Sequence, residues 1–257
     1  MPSTSVKFRI KTLKRALLKA IRNSWYRAIR VPAGQLAWLL WQNLRFVSDR
    51  ILSRRNGIRV LAGQTLVEVP PGYINQYVLD EDVSRKFMIW PGDWDQRTKP
   101  MTTHYRYGPM LDLWQHRDNL EDSDSYHDLM QRIKNEQPLE RVNKSTLVNS
   151  PEKAREFLAS QLQIFYSLAS EGYKPELADD ELNVAITRYG TMVKANGGRK
   201  RLIAAQIIGL ESIPVRIAYI HKHWIDQHET KGLKRSDAIR QAISKARILA
   251  RQPVQPG

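Results

Sequence analysis

A chain of 257 residues with 42% hydrophobic and 26% charged side chains is long enough to bury a core and too apolar for a disordered segment. It has no cysteine, which removes disulfide scaffolds, thiolate metal sites and cysteine nucleophiles, and no run reaches the roughly 18 apolar residues of a membrane span. The formal charge of +15 points to a polyanion until it is located: residues 1–60 hold 14 Lys or Arg against one acid, Asp49, and the other 197 hold 27 basic and 25 acidic side chains.

The basic N-terminal stretch reads as an amphipathic helical arm over 1–57. Phe8, Leu13, Leu17, Ile21 and Trp25 recur every four or five residues among Lys and Arg, and Pro32 and Gly34 break the pattern. A second run through Leu36, Leu39, Leu40, Leu44, Val47 and Ile51 stops at Asn56-Gly57. A basic helix edged with tryptophan suits an anionic membrane surface, a protein partner or a phosphate backbone, and equally an arm packed on its own domain with its charge solvated. No apolar stretch with a small-residue cleavage site follows the basic start, so a cytoplasmic protein is expected, able to sit peripherally at a membrane.

A globular domain is expected over 58–240. Strands are predicted at 65–69 and 74–78 around Pro70-Pro71-Gly72, then a polar helical turn in "DEDVSRKF" and a loop in "WPGDWD". Helix is predicted over 108–133. A second helix opens at Ser150-Pro151, with the serine as N-cap, and closes at Gly172. A hairpin about Tyr189-Gly190 comes next, then a helix with the stripe Leu202, Ile203, Gln206, Ile207, Leu210 and a C-terminal Gly209. In the following strand Ile213, Val215, Ile217 and Tyr219 alternate with Pro214, Arg216 and Ala218. A basic helix capped by Ser236 ends the domain, and 241–257 form its last turns and tail. Strands and helices mix without regular alternation, which predicts an α+β fold.

One junction carries the strongest chemical signal. In "ANGGRKRLIAAQIIGLESIPVRI", Gly197 and Gly198 stand where a strand gives way to a helix. Glycines there let the backbone approach a ligand and leave the first helical N–H groups facing it. Arg199, Lys200 and Arg201 put three cations in the first turn, against the helix dipole at roughly 0.3–1 kcal/mol each. A bound anion would explain them, and so would a solvated basic turn.

The wider unit resembles the ParB/sulfiredoxin superfamily. Gly198, Arg201 and Ala204 match the Gly-x-x-Arg-x-x-Ala core of its nucleotide-binding box, and "IGLESIPVRI" resembles the strand that follows. Many relatives carry histidine where this chain has Lys200, which keeps a phosphate contact and loses an imidazole. The resemblance covers about 60–240, is specific over 184–224 and leaves out the arm. It implies a nucleoside triphosphate, ATP or CTP, with its phosphates on residues 197–201. Sulfiredoxin chemistry needs a cysteine and is not expected here, nor is full partition function, because the region after the box lacks room for a helix-turn-helix domain plus a dimerisation domain. The expectation is an ATP-dependent phosphotransferase acting on a small hydroxylated substrate. The alternative is a non-catalytic nucleotide switch that grips DNA or a protein through its arm.

Two further clusters complete the expected site. Asp93 and Asp95, flanking Trp94, could hold Mg²⁺ or act as base toward a hydroxyl, or could form a turn anchored by its tryptophans. His221 and His223, two apart on one strand face, with Lys222 between them, could touch phosphate or substrate, or simply end the strand over Trp224. The remaining histidines, 104, 116, 127 and 228, form no motif.

Overall fold

The computed structural model describes residues 54–79, 87–141, 146–174, 181–229 and 235–252. The proposed arm therefore lies outside the described residues up to position 53, as does nearly all of "DEDVSRKF".

Helix α1 (Arg54–Val60) runs through Asn56-Gly57, where the sequence predicted a stop. The reason is tertiary. Ile58 packs on a buried cluster, and Arg54 donates to the Tyr219 hydroxyl at 2.9 Å with its guanidinium 5.6 Å from that ring. These residues belong to the domain and not to a separate arm. A short helix, α2 (Ala62–Thr65), leads into β1 (Leu66–Val69), and β2 (Gln76–Val78) and β3 (Ile89–Trp90) follow. After β4 (Thr98–Pro100), the predicted 108–133 helix divides into α3 (Tyr107–Gln115) and α4 (Asp124–Lys134). Ser123 starts α4 by accepting from the Tyr126 N–H, and Asp112 of α3 accepts from the Asp124 and Ser125 N–H groups. A side hairpin, β5 (Leu139–Arg141) with β6 (Thr146–Val148), precedes α5 (Pro151–Glu171). Helix α5 has Ser150 as N-cap and Gly172 at φ 69° as C-cap, as its local signals predicted.

The main sheet is completed by β7 (Asn183–Ile186), β8 (Met192–Lys194) and β9 (Ile213–His221), with α6 (Arg199–Ile207) between the last two. Its order is β1-β9-β7-β8-β2-β4, with β3 also on β9. Pairs β7–β9, β2–β8 and β3–β9 are parallel, and β1–β9, β7–β8 and β2–β4 are antiparallel, so the chain is a mixed α/β domain consistent with α+β. Two short pieces finish it, α7 (Lys222–Asp226) and α8 (Arg235–Arg251). Helix α8 already includes Ser236, which is therefore buried inside its first turn and is not its cap. Among the described residues no helix is long and apolar enough to cross a membrane.

Both faces of the central strands are covered. Val184, Ile186, Val215 and Ile217 face one apolar cluster with helices α3 to α8, and Ala185, Val193 and Ala218 face another with Trp90 and Trp94. The predicted alternation of β9 holds only through Ile217. A register shift opposite Val184 and Ala185 pairs Ala185 with Tyr219, so the Tyr219 ring joins the second cluster and Ile220 returns to the first.

Candidate functional site

The chain leaves β8 at Lys194 and enters α6 through two consecutive left-handed residues, Gly197 at φ 72° and Gly198 at φ 64°. Only glycine suits the second position. A Cβ there would lie 2.7 Å from the Leu182 Cα, a backbone atom that cannot swing aside. Gly198 caps α6 through its carbonyl, which accepts from the Leu202 N–H at 3.1 Å.

Beneath the turn is a residue that sequence reading did not single out. Lys194 is fully buried, and its ammonium donates to the carbonyls of Asn183 at 2.9 Å, Ala195 at 2.8 Å and Asn196 at 3.1 Å. A peptide's C=O and N–H point in opposite directions. Drawing the Ala195 and Asn196 carbonyls inward therefore turns the Asn196 and Gly197 N–H groups outward. The buried side-chain oxygens of Asn183 and Asn196 have no hydrogen-bond partner among the described residues. A carboxamide in that setting can offer its NH₂ instead after a half turn.

The three cations are positioned by neighbours and are not loose in solvent. Arg199 has its guanidinium 6.0 Å from the Tyr77 ring, Lys200 donates to Gln161 of α5, and Arg201 stands 5.6 Å from the Tyr173 ring with a long 3.5 Å contact to its hydroxyl. All three are half-buried, and the first turn of α6 contains no acidic residue. This end of the sheet thus combines outward amides, a helix N-terminus and three held cations.

The other expected residues come together elsewhere. Arg188, just beyond β7, donates its backbone N–H to Asp95 at 2.9 Å and binds both Asp95 oxygens through Nε and one terminal nitrogen. That terminal nitrogen also reaches Asp93 at 2.7 Å and the Gly92 carbonyl at 3.0 Å. His221 donates through Nε2 to the same Gly92 carbonyl at 2.7 Å and accepts the His223 N–H on Nδ1, which defines a neutral tautomer. Burial raises the Asp95 carboxyl, but the hydrogen bonds from the Arg188 side chain and backbone outweigh it and hold the group below its ordinary value. A carboxylate so engaged is a poor base. The strand also ends at His221, and Lys222 and His223 begin α7, so the two histidines do not share a strand face. His221 is buried, whereas Lys222 and His223 are exposed.

This cluster clasps a loop. Trp94 is buried, stacks on Trp90 at 4.3 Å and donates to its carbonyl at 3.2 Å, while Arg188 and His221 fasten the loop's backbone from the other side. The clasp also lies at the opposite end of the sheet from the 197–201 turn. Gly198 abuts Leu182, before β7, and Asp95 binds Arg188, after it. The extended chain between them spans roughly 15–20 Å at about 3.3 Å per residue. Asp93 and Asp95 therefore do not stand beside residues 197–201, where they were expected to complete one site. Nor do they fit Mg²⁺, since both already bind one guanidinium, and no group of three or more His, Asp or Glu among the described residues is placed to hold a metal.

What fold and geometry define together is a mixed α/β domain with a cationic, amide-lined turn at one end of its sheet and an ionic clasp at the other. Comparisons with family models, curated proteins and solved structures gave no match.

Proposed function

We propose that this is a nucleotide-binding protein of ParB/sulfiredoxin-like design, in which the phosphates of ATP or CTP rest on the 197–201 turn. The observation that carries the reading is the buried Lys194, whose contacts with the Ala195 and Asn196 carbonyls face the turn's amides outward while the third, to Asn183, ties it to β7. The left-handed Gly198 at the head of α6 and the partnerless Asn183 and Asn196 oxygens support it.

Between the two functional classes, the geometry favours the binding module over the phosphotransferase. Transfer to a small hydroxylated substrate required Asp93 or Asp95 as base, or as holder of Mg²⁺, beside the terminal phosphate. Both carboxylates are committed to Arg188 at the far end of β7. On this reading the nucleotide acts as a switch, and the basic N-terminal segment, 14 cations over residues 1–60, grips a polyanion or a protein partner.

Titrating ATP and CTP into the full-length protein tests the site. Arg201→Ala removes one charge-assisted contact, and affinity should fall about 10- to 100-fold at about 1.5–3 kcal/mol. Absence of nucleotide binding by the wild type would sink the reading, and steady phosphate transfer to a small alcohol would restore the enzyme.

A further inference from the structure

We infer that Tyr105 is the platform on which the nucleobase stacks. This rests on the phosphate reading above and adds what recognises the other end of the ligand. Tyr105 is 69% exposed, as is Tyr189, yet its ring is held from two directions. The His104 imidazole lies 4.6 Å away at 31°, and the Arg106 guanidinium stands 4.9 Å from the ring centre. His104 is itself buried and fixed. Its Nδ1 accepts the Arg106 N–H at 3.2 Å, and its ring meets the edge of Tyr77 at 5.0 Å and 80°.

Tyr77 is the ring beside which Arg199 stands. An unbroken series of contacts thus runs from the phosphate turn, through Arg199, Tyr77 and His104, to the exposed Tyr105. The series starts on the α6 side of the sheet, because Tyr77 packs on the apolar cluster that α6 covers. A platform held in place loses little freedom when a planar ligand settles on it. A base offers a π-face to tyrosine and to arginine alike, and such stacking tolerates any base while favouring the larger purine. The ligand class is therefore a nucleoside triphosphate bound at two points, with the phosphates on the turn and the base on Tyr105.

The test compares ATP with inorganic tripolyphosphate, which has the phosphates and no base. Both are titrated into full-length wild type, Tyr105→Ala and Tyr105→Phe. The expected result is that ATP binds the wild type more tightly than tripolyphosphate does. Tyr105→Ala should weaken ATP about tenfold and leave tripolyphosphate unchanged, with Tyr105→Phe close to wild type. If both ligands bind and Tyr105→Ala leaves ATP unchanged, or weakens both equally, the platform is wrong while the phosphate site stands. If neither binds the wild type, the phosphate reading falls and the platform with it.

Discussion

Replacing Lys194 by methionine is expected to destabilise the domain by about 4 kcal/mol and to abolish nucleotide binding together. Methionine keeps the length and apolar stem of lysine, so the loss is confined to the ammonium. Removing it leaves the carbonyls of Asn183, Ala195 and Asn196 without their donor in a site that water does not reach. Each buried carbonyl so orphaned costs about 1–3 kcal/mol, and relaxation of the loop recovers part of the total. That relaxation is what should end binding, because the amides of Asn196 and Gly197 turn away as the carbonyls swing out. Urea denaturation reads the first effect and ATP titration under native conditions the second. A loss below about 1 kcal/mol with unchanged ATP affinity would show that the lysine organises nothing.

The second large effect belongs to the clasp. Asp95→Ala removes a carboxylate whose side chain is 1% exposed and whose two oxygens take three kinds of Arg188 donor, and about 3 kcal/mol of stability should go with it. The pH dependence has a definite sign. The folded-state value lies below the ordinary 3.8, so between the two values the unfolded chain binds the proton more readily. The contribution is complete above about pH 5 and fades as pH falls through the depressed folded value. Asp95→Asn keeps the shape and loses the charge, so its stability should fall less between pH 5 and pH 3 than that of the wild type. Nucleotide affinity should not change in either variant, because the clasp stands at the opposite end of β7 from the turn. A loss of ATP binding in Asp95→Asn at neutral pH would reunite the two sites.

What could be read from the sequence was what is written locally. Ser150-Pro151 and Gly172 delimit α5 because capping depends on residues within one turn, and Gly197-Gly198 marks the junction from strand to helix, although the contact with Leu182 that requires glycine there belongs to the fold. The parts that escaped depend on distance along the chain. Arg188 and Asp95 lie 93 residues apart, and nothing in "TRYGT" or "WPGDWD" pairs them. The sequence reads Asp93 with Asp95 and His221 with His223 as separate clusters beside the turn, whereas the structure joins Asp93, Asp95 and His221 through Arg188 and the Gly92 carbonyl at the other end of β7. Only strand order and direction decide that, and the sequence records neither. Tyr219 changed face because of a register shift on the partner strand. Lys194 did leave a trace: a charged residue between Val193 and Ala195 in an otherwise apolar strand demands a reason. The reason here is the loop it holds.

The most direct test of the phosphate turn is to follow backbone amide resonances of the full-length protein while ATP is added. The largest shifts are expected at Asn196, Gly197, Gly198, Arg199 and Arg201, with Arg188 and His221 unmoved. Shifts centred on Arg188, Tyr189 and His221 with a silent 196–201 segment would contradict it.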